Sequence, residues 1–426
     1  MIRKQDMLRL FENIKIDSSW AFADKTRKDT AYITHGYHRY PAKFIPQIVS
    51  RLVAKYTKEG DLVVDPFGGC GTTLVESKVM CRPSIGVDIN PVAVLMTKAK
   101  TTPIKPLALE QTFIKLKHEL DSYDSQAKVE APDHERIDYW FKPEQKRKLA
   151  FLSSEISKIK DRGARDFFYC GFSNILKNCS IWLQKSNKPT RDFEKRPIDP
   201  FIAFSRQIKA MLKGNTDFYN LLQERGCIET FCKVYCTDAR KTPAKSNSVS
   251  LIVTSPPYVT SYEYADLHQL TALWFEYTRN ISDFRKRFIG TSFHTEKEID
   301  LNSEIARNIV EKLGKKHKKT ATEVATYFSE MNQVFREMYR ILEKGGKTAI
   351  VIGNTKLKGV RILNAEVFAE QLVSFGFDVE KIIKREIPSK NLPSIRDPKT
   401  GRFAKATNKT KVLAYPTEYI LIFKKL

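Results

Sequence analysis

The sequence predicts an α/β fold: a seven-stranded, mostly parallel sheet with helices on both faces, interrupted by a helical insertion. Three observations predict it. Short apolar runs alternate with amphipathic helical patterns, the rhythm of βα units joined by right-handed crossovers. One run ends in a glycine-rich turn that opens a helix, Asp65–Thr72. Four runs are followed at their carboxyl ends by an acid or a hydroxyl: Asp65, Asp88, Asp238 and Ser255. Ligands in open α/β sheets sit outside that edge, near the reversal of strand order.

Residues 1–34 are polar and mixed, with no strong period. His35-Gly36-Tyr37-His38-Arg39-Tyr40-Pro41-Ala42-Lys43-Phe44 follows, and then a helix is expected over Pro46–Tyr56. Ile48, Val49, Leu52 and Val53 fall on one face of it, and Pro46 suits its first turn. Leu62–Thr73 reads as a strand, a glycine-rich turn and then a helix. Glycines let a backbone approach a ligand closely, and a new helix offers free N–H groups to an anion. The next strand, Ser84–Val87, leads into Asp88. An acid at that place in a βαβ unit can hold the two hydroxyls of a ribose. Turn, helix and acid together predict an adenosine-type cofactor site.

Residues 105–230 form a long insertion with amphipathic helical patterns and many Lys and Arg residues. Its aromatics, Trp140-Phe141, Phe167-Phe168-Tyr169 and Trp182, are expected mostly as the core of a helical subdomain, and Lys185–Arg196 as a basic loop. The αβ rhythm then resumes. Strands are expected at Phe231–Thr237, ending at Asp238, and at Val249–Val253. A helix over Glu323–Leu342 is closed by Gly345-Gly346, a natural helix stop. Lys347–Ile352 is a strand, Asn364–Gly376 a helix, and Val379–Arg385 and Glu418–Phe423 the final strands. The division is then 1–104, the cofactor half; 105–230, the insertion; and 231–426, the catalytic half with a structureless basic loop at Pro388–Lys411.

Net charge is +24, an excess that points to a polyanionic partner, nucleic acid before a membrane surface. No run approaches the ~20 apolar residues of a membrane span. The N-terminus, Met1–Ile16, is charged throughout and lacks a signal-peptide core, so a cytoplasmic location is expected. The seven cysteines are scattered, which argues against a disulfide framework. Cys227, Cys232 and Cys236 lack a usual zinc spacing and are expected as buried reduced thiols, with no metal site. In the basic loop, Lys390, Arg396, Lys399, Arg402 and Lys405 are the expected nucleic-acid contacts, and long loops in compact domains are usually functional or disordered.

The most informative stretch is Thr254-Ser255-Pro256-Pro257-Tyr258. Two successive prolines donate no backbone hydrogen bonds and fix their own φ angles, and each residue before a proline is pushed to an extended conformation. The result is a rigid strand-end turn presenting a hydroxyl, bare carbonyl oxygens and an aromatic ring. The Ser255 hydroxyl and the Pro256 carbonyl can accept the hydrogens of an exocyclic amine, while Tyr258 can stack on a flat base.

On these motifs the chain resembles the amino-methylating DNA methyltransferases that use S-adenosyl-L-methionine. Asp65-Pro66-Phe67-Gly68-Gly69-Cys70-Gly71-Thr72 is similar to the family's cofactor loop, with Phe67, Gly69 and Gly71 in the F-x-G-x-G places. Ile85–Pro91 resembles the next segment, in which the acid, Asp88, would bind the cofactor ribose, with Ile89 and Asn90 also expected at the cofactor. Asp238 stands where the family places a residue near the adenine. His38, Tyr40, Pro41, Lys43 and Phe44 resemble the segment that closes over the methionine end. Ser255, Pro256, Pro257 and Tyr258 match the catalytic tetrapeptide. The resemblance implies a Rossmann-like class I methyltransferase fold, double-stranded DNA as partner, and room for a companion restriction endonuclease. Family members with Ser-Pro-Pro-Tyr tend to methylate cytosine N4, and those with Asp-Pro-Pro-Tyr adenine N6. Adenine N6 and an RNA base remain the alternatives. Cytosine C5 chemistry needs a cysteine nucleophile, typically after a proline, and this chain has no Pro-Cys pair. The long insertion departs from the pattern and leaves two candidates for target recognition, residues 105–230 and Pro388–Lys411.

Overall fold

The computed structural model describes residues 4–41, 43–126, 128–259, 264–296, 298–388, 395–396, 412–413 and 416–426. Its sheet has seven strands: β1 (Val63–Asp65), β2 (Ser84–Asp88), β3 (Cys232–Cys236), β4 (Val249–Thr254), β5 (Leu342–Ile352), β6 (Phe377–Glu386) and β7 (Thr417–Lys425). Their order is β3-β2-β1-β4-β5-β7-β6. β1 to β5 pair in parallel, and β7 runs antiparallel between β5 and β6. This is the class I methyltransferase arrangement, and all seven expected strands are present.

The central strands are apolar on both faces because both faces are covered. Val64, Ile252, Ile350 and Ile352 pack under four helices: α1 (Lys4–Glu12), α11 (Glu304–Gly314), α12 (Lys318–Ile341) and α13 (Asn364–Ser374). Val63, Leu251, Val253, Ala349 and Val351 face α2 (Pro46–Tyr56) on the other side, where Ile48, Val49, Leu52 and Val53 are fully buried. Truncating one of these, Leu52→Ala, would cost ~2–5 kcal/mol through lost transfer energy and a residual cavity. The polar N-terminus, expected to lack a regular element, contributes α1, whose Met7 and Phe11 seal the edge of the core.

Two other expectations are corrected. α12 ends at Ile341 and β5 begins at Leu342, so Gly345-Gly346 does not stop the helix. The pair forms an irregularity inside β5, where the register with β4 shifts between Val249 and Leu251. Gly345 has φ +82°, and a side chain on Gly346 would lie 2.9 Å from the carbonyl oxygens of Glu343 and Val249. Cys227 is not a reduced thiol: it forms a disulfide with Cys81, with the Cα atoms 5.0 Å apart. The insertion returns the chain beside the turn that precedes β2, which no local spacing announces. Cys232 is half-buried and Cys236 exposed.

The insertion is built from α5 (Pro106–Asp121), α6 (Glu135–Trp140), α7 (Pro143–Ser157), α8 (Arg162–Cys179) and α9 (Pro200–Glu224). Phe167 and Phe168 are fully buried, and Trp140 stacks on Trp182 with centroids 5.2 Å apart. These aromatics are the core of the subdomain, as expected. That core continues into Val92, Met96 and Ala99 of α4 (Pro91–Thr101), so the insertion packs against the helix that follows β2. Among the described residues no helix is long and apolar enough to cross a membrane.

Candidate active site

Strand order reverses at β1, which lies between β2 and β4. A cleft opens there, outside the carboxyl ends of the strands, as α/β topology dictates. Its floor is the turn from Asp65 into α3 (Thr72–Val79), whose N-cap is Gly71. Gly71 has φ +82°, and a side chain on it would meet Thr97 at 2.9 Å, so only glycine closes this turn. Gly69 has φ +50° and lies directly against the Tyr40 ring. Tyr40 in turn stacks on Tyr264, with centroids 5.7 Å apart.

Three acids stand at the strand ends. Asp88 accepts hydrogen bonds from the Gly69 and Asn90 amides, both at 2.8 Å. Asp65 accepts from the Thr254 hydroxyl at 2.7 Å and from the Phe67 amide at 3.0 Å. Burial pushes each carboxyl up to about 6, and those hydrogen bonds only partly oppose it. Asp238 differs. Burial raises it too, but a two-pronged pair with Arg240 (Nε to Oδ1 at 3.0 Å, Nη2 to Oδ2 at 2.8 Å) outweighs that and holds it below the ordinary range. Arg240 also reaches Glu296 at 3.1 Å.

The Ser-Pro-Pro-Tyr turn leaves β4 at Thr254. Ser255 and Pro257 line the cleft and Pro256 is buried. Among the described residues the Ser255 hydroxyl has no hydrogen-bond partner. The Pro257 carbonyl is not bare as expected: the Tyr327 hydroxyl of α12 donates to it at 2.8 Å and pins the turn. Tyr258 lies against Gly353, at the end of β5, and its hydroxyl meets Glu418 at 3.4 Å. Glu418 pairs with the buried Arg385 at 2.6 Å. The ends of β6 and β7 therefore support the aromatic member of the tetrapeptide.

Of the residues expected at the cofactor, Tyr40, Lys43, Phe44, Asp65, Pro66, Phe67, Gly69, Thr72, Asp88, Ile89 and Asp238 line this one cleft. Gly71 and Asn90 act one step back: Gly71 shapes the turn, and Asn90 caps α4 and touches His268 at 2.7 Å. Pro41 is not part of the lining. His38 points away. Its Nδ1 sits 2.8 Å from the Arg39 carbonyl, so that nitrogen donates, and Nε2 accepts from Ser173 of α8 at 2.9 Å. Burial lowers this imidazole to about 3, which keeps it neutral. Lys390, Lys399, Arg402 and Lys405 lie outside the described residues. Arg396 belongs to a short antiparallel pair, Ile395–Arg396 with Val412–Leu413, so the basic loop is not wholly structureless. Its roots are joined by the Ile387 amide on the Pro416 carbonyl, at the carboxyl edge of the sheet.

Several lining residues escaped sequence reasoning: Cys70, Tyr264, Arg287, Phe288 and Ile289. Cys70 hid within a motif read for its glycines. Burial raises its thiol, but the buried Lys100 and Lys43 outweigh that and hold it below its ordinary value. Arg287–Ile289 carry no motif and reach the cleft only through tertiary packing; the one local signal is Gly290, at φ +80°.

The cleft fits S-adenosyl-L-methionine on its own chemistry. A glycine floor that a Cβ would obstruct lies beside a buried acid able to accept ribose hydroxyls, and apolar Phe67, Ile89 and Phe288 offer faces for an adenine. The DNA methylase family N6_N4_Mtase matches residues 3–99 and 249–426, more than half of the chain, and passes over residues 100–248. The Type II methyltransferase M.MvaI of Kocuria varians is 27% identical over 413 residues, covering 90% of each chain. M.AvaI of a Nostoc species is 22% identical over 425 residues, covering 89% of this chain and 86% of the relative. A TehB-like SAM-dependent methyltransferase structure from Corynebacterium glutamicum covers 89% of this chain and 87% of its own, at 7% identity and TM-score 0.30. The chain belongs to the N6_N4_Mtase family of DNA methylases.

Proposed function

We propose that this protein methylates the N4 amino group of cytosine at a specific site in double-stranded DNA, on a base rotated out of the duplex. The observation that carries this reading is the Ser255 hydroxyl, uncommitted among the described residues, on the wall of the cleft that Asp65 and Asp88 close. When bound, S-adenosyl-L-methionine supplies an electrophilic methyl group. Gly69, Asp88, Ile89 and Asp238 are the residues that would hold it.

The amine lone pair is conjugated into the base and is a poor nucleophile. Ser255 and the Pro256 carbonyl accept the amine hydrogens, favour a pyramidal nitrogen and aim its lone pair into the cleft. As positive charge develops on nitrogen, those oxygens stabilise it. One preorganised partner of this kind is worth ~3 kcal/mol. Extrusion of the base costs a few kcal/mol, and stacking on Tyr258 returns ~1–3 kcal/mol. The chain divides into a cofactor half (1–104), an insertion (105–230) and a catalytic half (231–426). The M.MvaI and M.AvaI relatives carry the name Type II methyltransferase, which supports a place in a restriction–modification pair beside a companion endonuclease.

The test is to methylate plasmid DNA with labelled cofactor and separate the digested nucleosides. Label in N4-methyl-2′-deoxycytidine is expected. Label in N6-methyl-2′-deoxyadenosine would move the target to adenine, and label accepted only by RNA offered in parallel would overturn the DNA reading.

A further inference from the structure

The insertion carries aromatics that do not belong to its core. Phe193 is 67% exposed and Tyr139 is 43% exposed. Arg191 lies between them: its guanidinium carbon is 3.9 Å from the Tyr139 centroid and 4.5 Å from that of Phe193. The half-buried guanidinium thus packs against both rings. No carboxylate among the described residues pairs with it. A cation that stacks yet has no ionic partner presents a ready donor edge to an anion.

The segment that bears Arg191 is anchored. The Asp192 amide donates to the Ile181 carbonyl at 2.8 Å, and the Leu183 amide to the Thr190 carbonyl at 2.8 Å, which closes a hairpin. Its base residue, Trp182, is stacked in the core on Trp140. Lys195 fastens the returning strand through the carbonyls of Lys177 and Trp182, both at 2.7 Å. The ladder also connects to the cleft. Arg136 lies 5.6 Å from the Tyr139 ring and donates to Gln269 at 3.0 Å. Gln269 opens α10 (Gln269–Trp274), and the preceding His268 touches Tyr40 on the cleft wall.

We propose that Tyr139, Arg191 and Phe193 form a contact site for duplex DNA on the insertion, beside the catalytic cleft. Arg191 contacts a backbone phosphate, and the exposed face of Phe193 packs on the sugar or base next to the extruded nucleotide. Lys185 and Lys188, at the tip of the same hairpin, extend the positive face. The partner is a polyanion with flat rings, which matches a cation packed against two aromatics better than an apolar protein surface does.

The inference rests on the DNA methylase reading, and the experiment separates the two. Filter binding with a linear plasmid fragment across a salt series compares wild type, Arg191→Ala, Arg191→Lys and Phe193→Ala. All three variants should keep near-wild-type melting and cofactor affinity, because Phe193 is exposed and the half-buried Arg191 makes no ion pair among the described residues. Arg191→Ala should shallow the slope of log K against log salt by ~0.9, the share of one phosphate. Arg191→Lys should keep the slope. Phe193→Ala should weaken binding about tenfold at every salt concentration, with the slope unchanged. If the wild type methylates the fragment but both alanine variants bind with its affinity and slope, the ladder stays off the DNA and the proposal falls alone. If the wild type leaves all DNA unmethylated, the underlying reading falls.

Discussion

The Thr254 hydroxyl donates to the Asp65 carboxylate at 2.7 Å, across 189 residues of sequence. Both side chains are almost fully buried. The bond ties the last residue of β4 to the last residue of β1, and so joins the Ser-Pro-Pro-Tyr turn to the glycine-rich turn. A second link runs from the Thr73 hydroxyl to the Val253 carbonyl at 3.3 Å. The two turns are therefore tied along one edge of the sheet.

Thr254→Val keeps the side-chain shape and removes that donor. It should lower stability by ~1–3 kcal/mol, because a buried carboxylate loses a partner. Methyl transfer should fall further than cofactor affinity does. Urea unfolding and single-turnover kinetics measure both, and an unchanged midpoint would show that the bond contributes nothing.

Asp88 gives a pH dependence. Burial holds its carboxyl at about 6, above the value of an unfolded chain. The folded state thus keeps a proton that the unfolded state releases, so this group's contribution to stability is largest at low pH and is lost as pH rises from about 4 through about 6. Cofactor binding runs the other way, since the ionised form is the stronger acceptor for ribose hydroxyls. Affinity should climb as pH passes about 6 and then level off. In Asp88→Asn it should be weaker by ~1.5–3 kcal/mol at neutral pH, with most of the climb gone. Calorimetry from pH 5 to 8 decides; a flat wild-type profile would rule Asp88 out as the titrating group.

Glu418 and Arg385 form a buried pair at the roots of the basic loop. Glu418→Ala strands a buried guanidinium and should cost ~3–5 kcal/mol. Replacing both residues by leucine should recover much of that loss. Denaturant midpoints of the three proteins check the order, and a double variant worse than the single would contradict it.

The strands and the cofactor loop were legible because their signals are local: apolar runs, glycines that a side chain would obstruct, acids at strand ends. Gly345-Gly346 misled because a helix stop and a β-irregularity both require glycine. Only the pairing with Val249 separates them. The cleft residues Arg287, Phe288 and Ile289 were not legible, since packing alone brings them beside Asp238. Nor could interleaved aromatics and charges distinguish Trp140, which is buried, from its neighbour Tyr139, which is exposed. The side of the helix decides that, and the helix packs only once the insertion closes. His38 sat inside a recognisable segment yet turned toward Ser173, because α8 offers its ring a partner.

Pro388–Lys411 remains the second place where DNA is expected to be held, and its cationic residues mostly lie outside the described residues. Replacing Lys399, Arg402 and Lys405 together by alanine should reduce the salt slope of DNA binding by ~0.9 for each phosphate that the loop no longer neutralises. Parallel salt plots of equal affinity would assign the grip to the insertion.

In the proposed reaction, methyl transfer turns on Ser255. Single-turnover transfer to duplex DNA by Ser255→Ala, alongside a cofactor-binding isotherm, tests that most directly. The predicted result is near-normal cofactor affinity with transfer slowed by about a hundredfold or more, the effect of removing one preorganised oxygen from the transition state. Transfer at the wild-type rate would remove Ser255 from the mechanism and contradict the proposed chemistry.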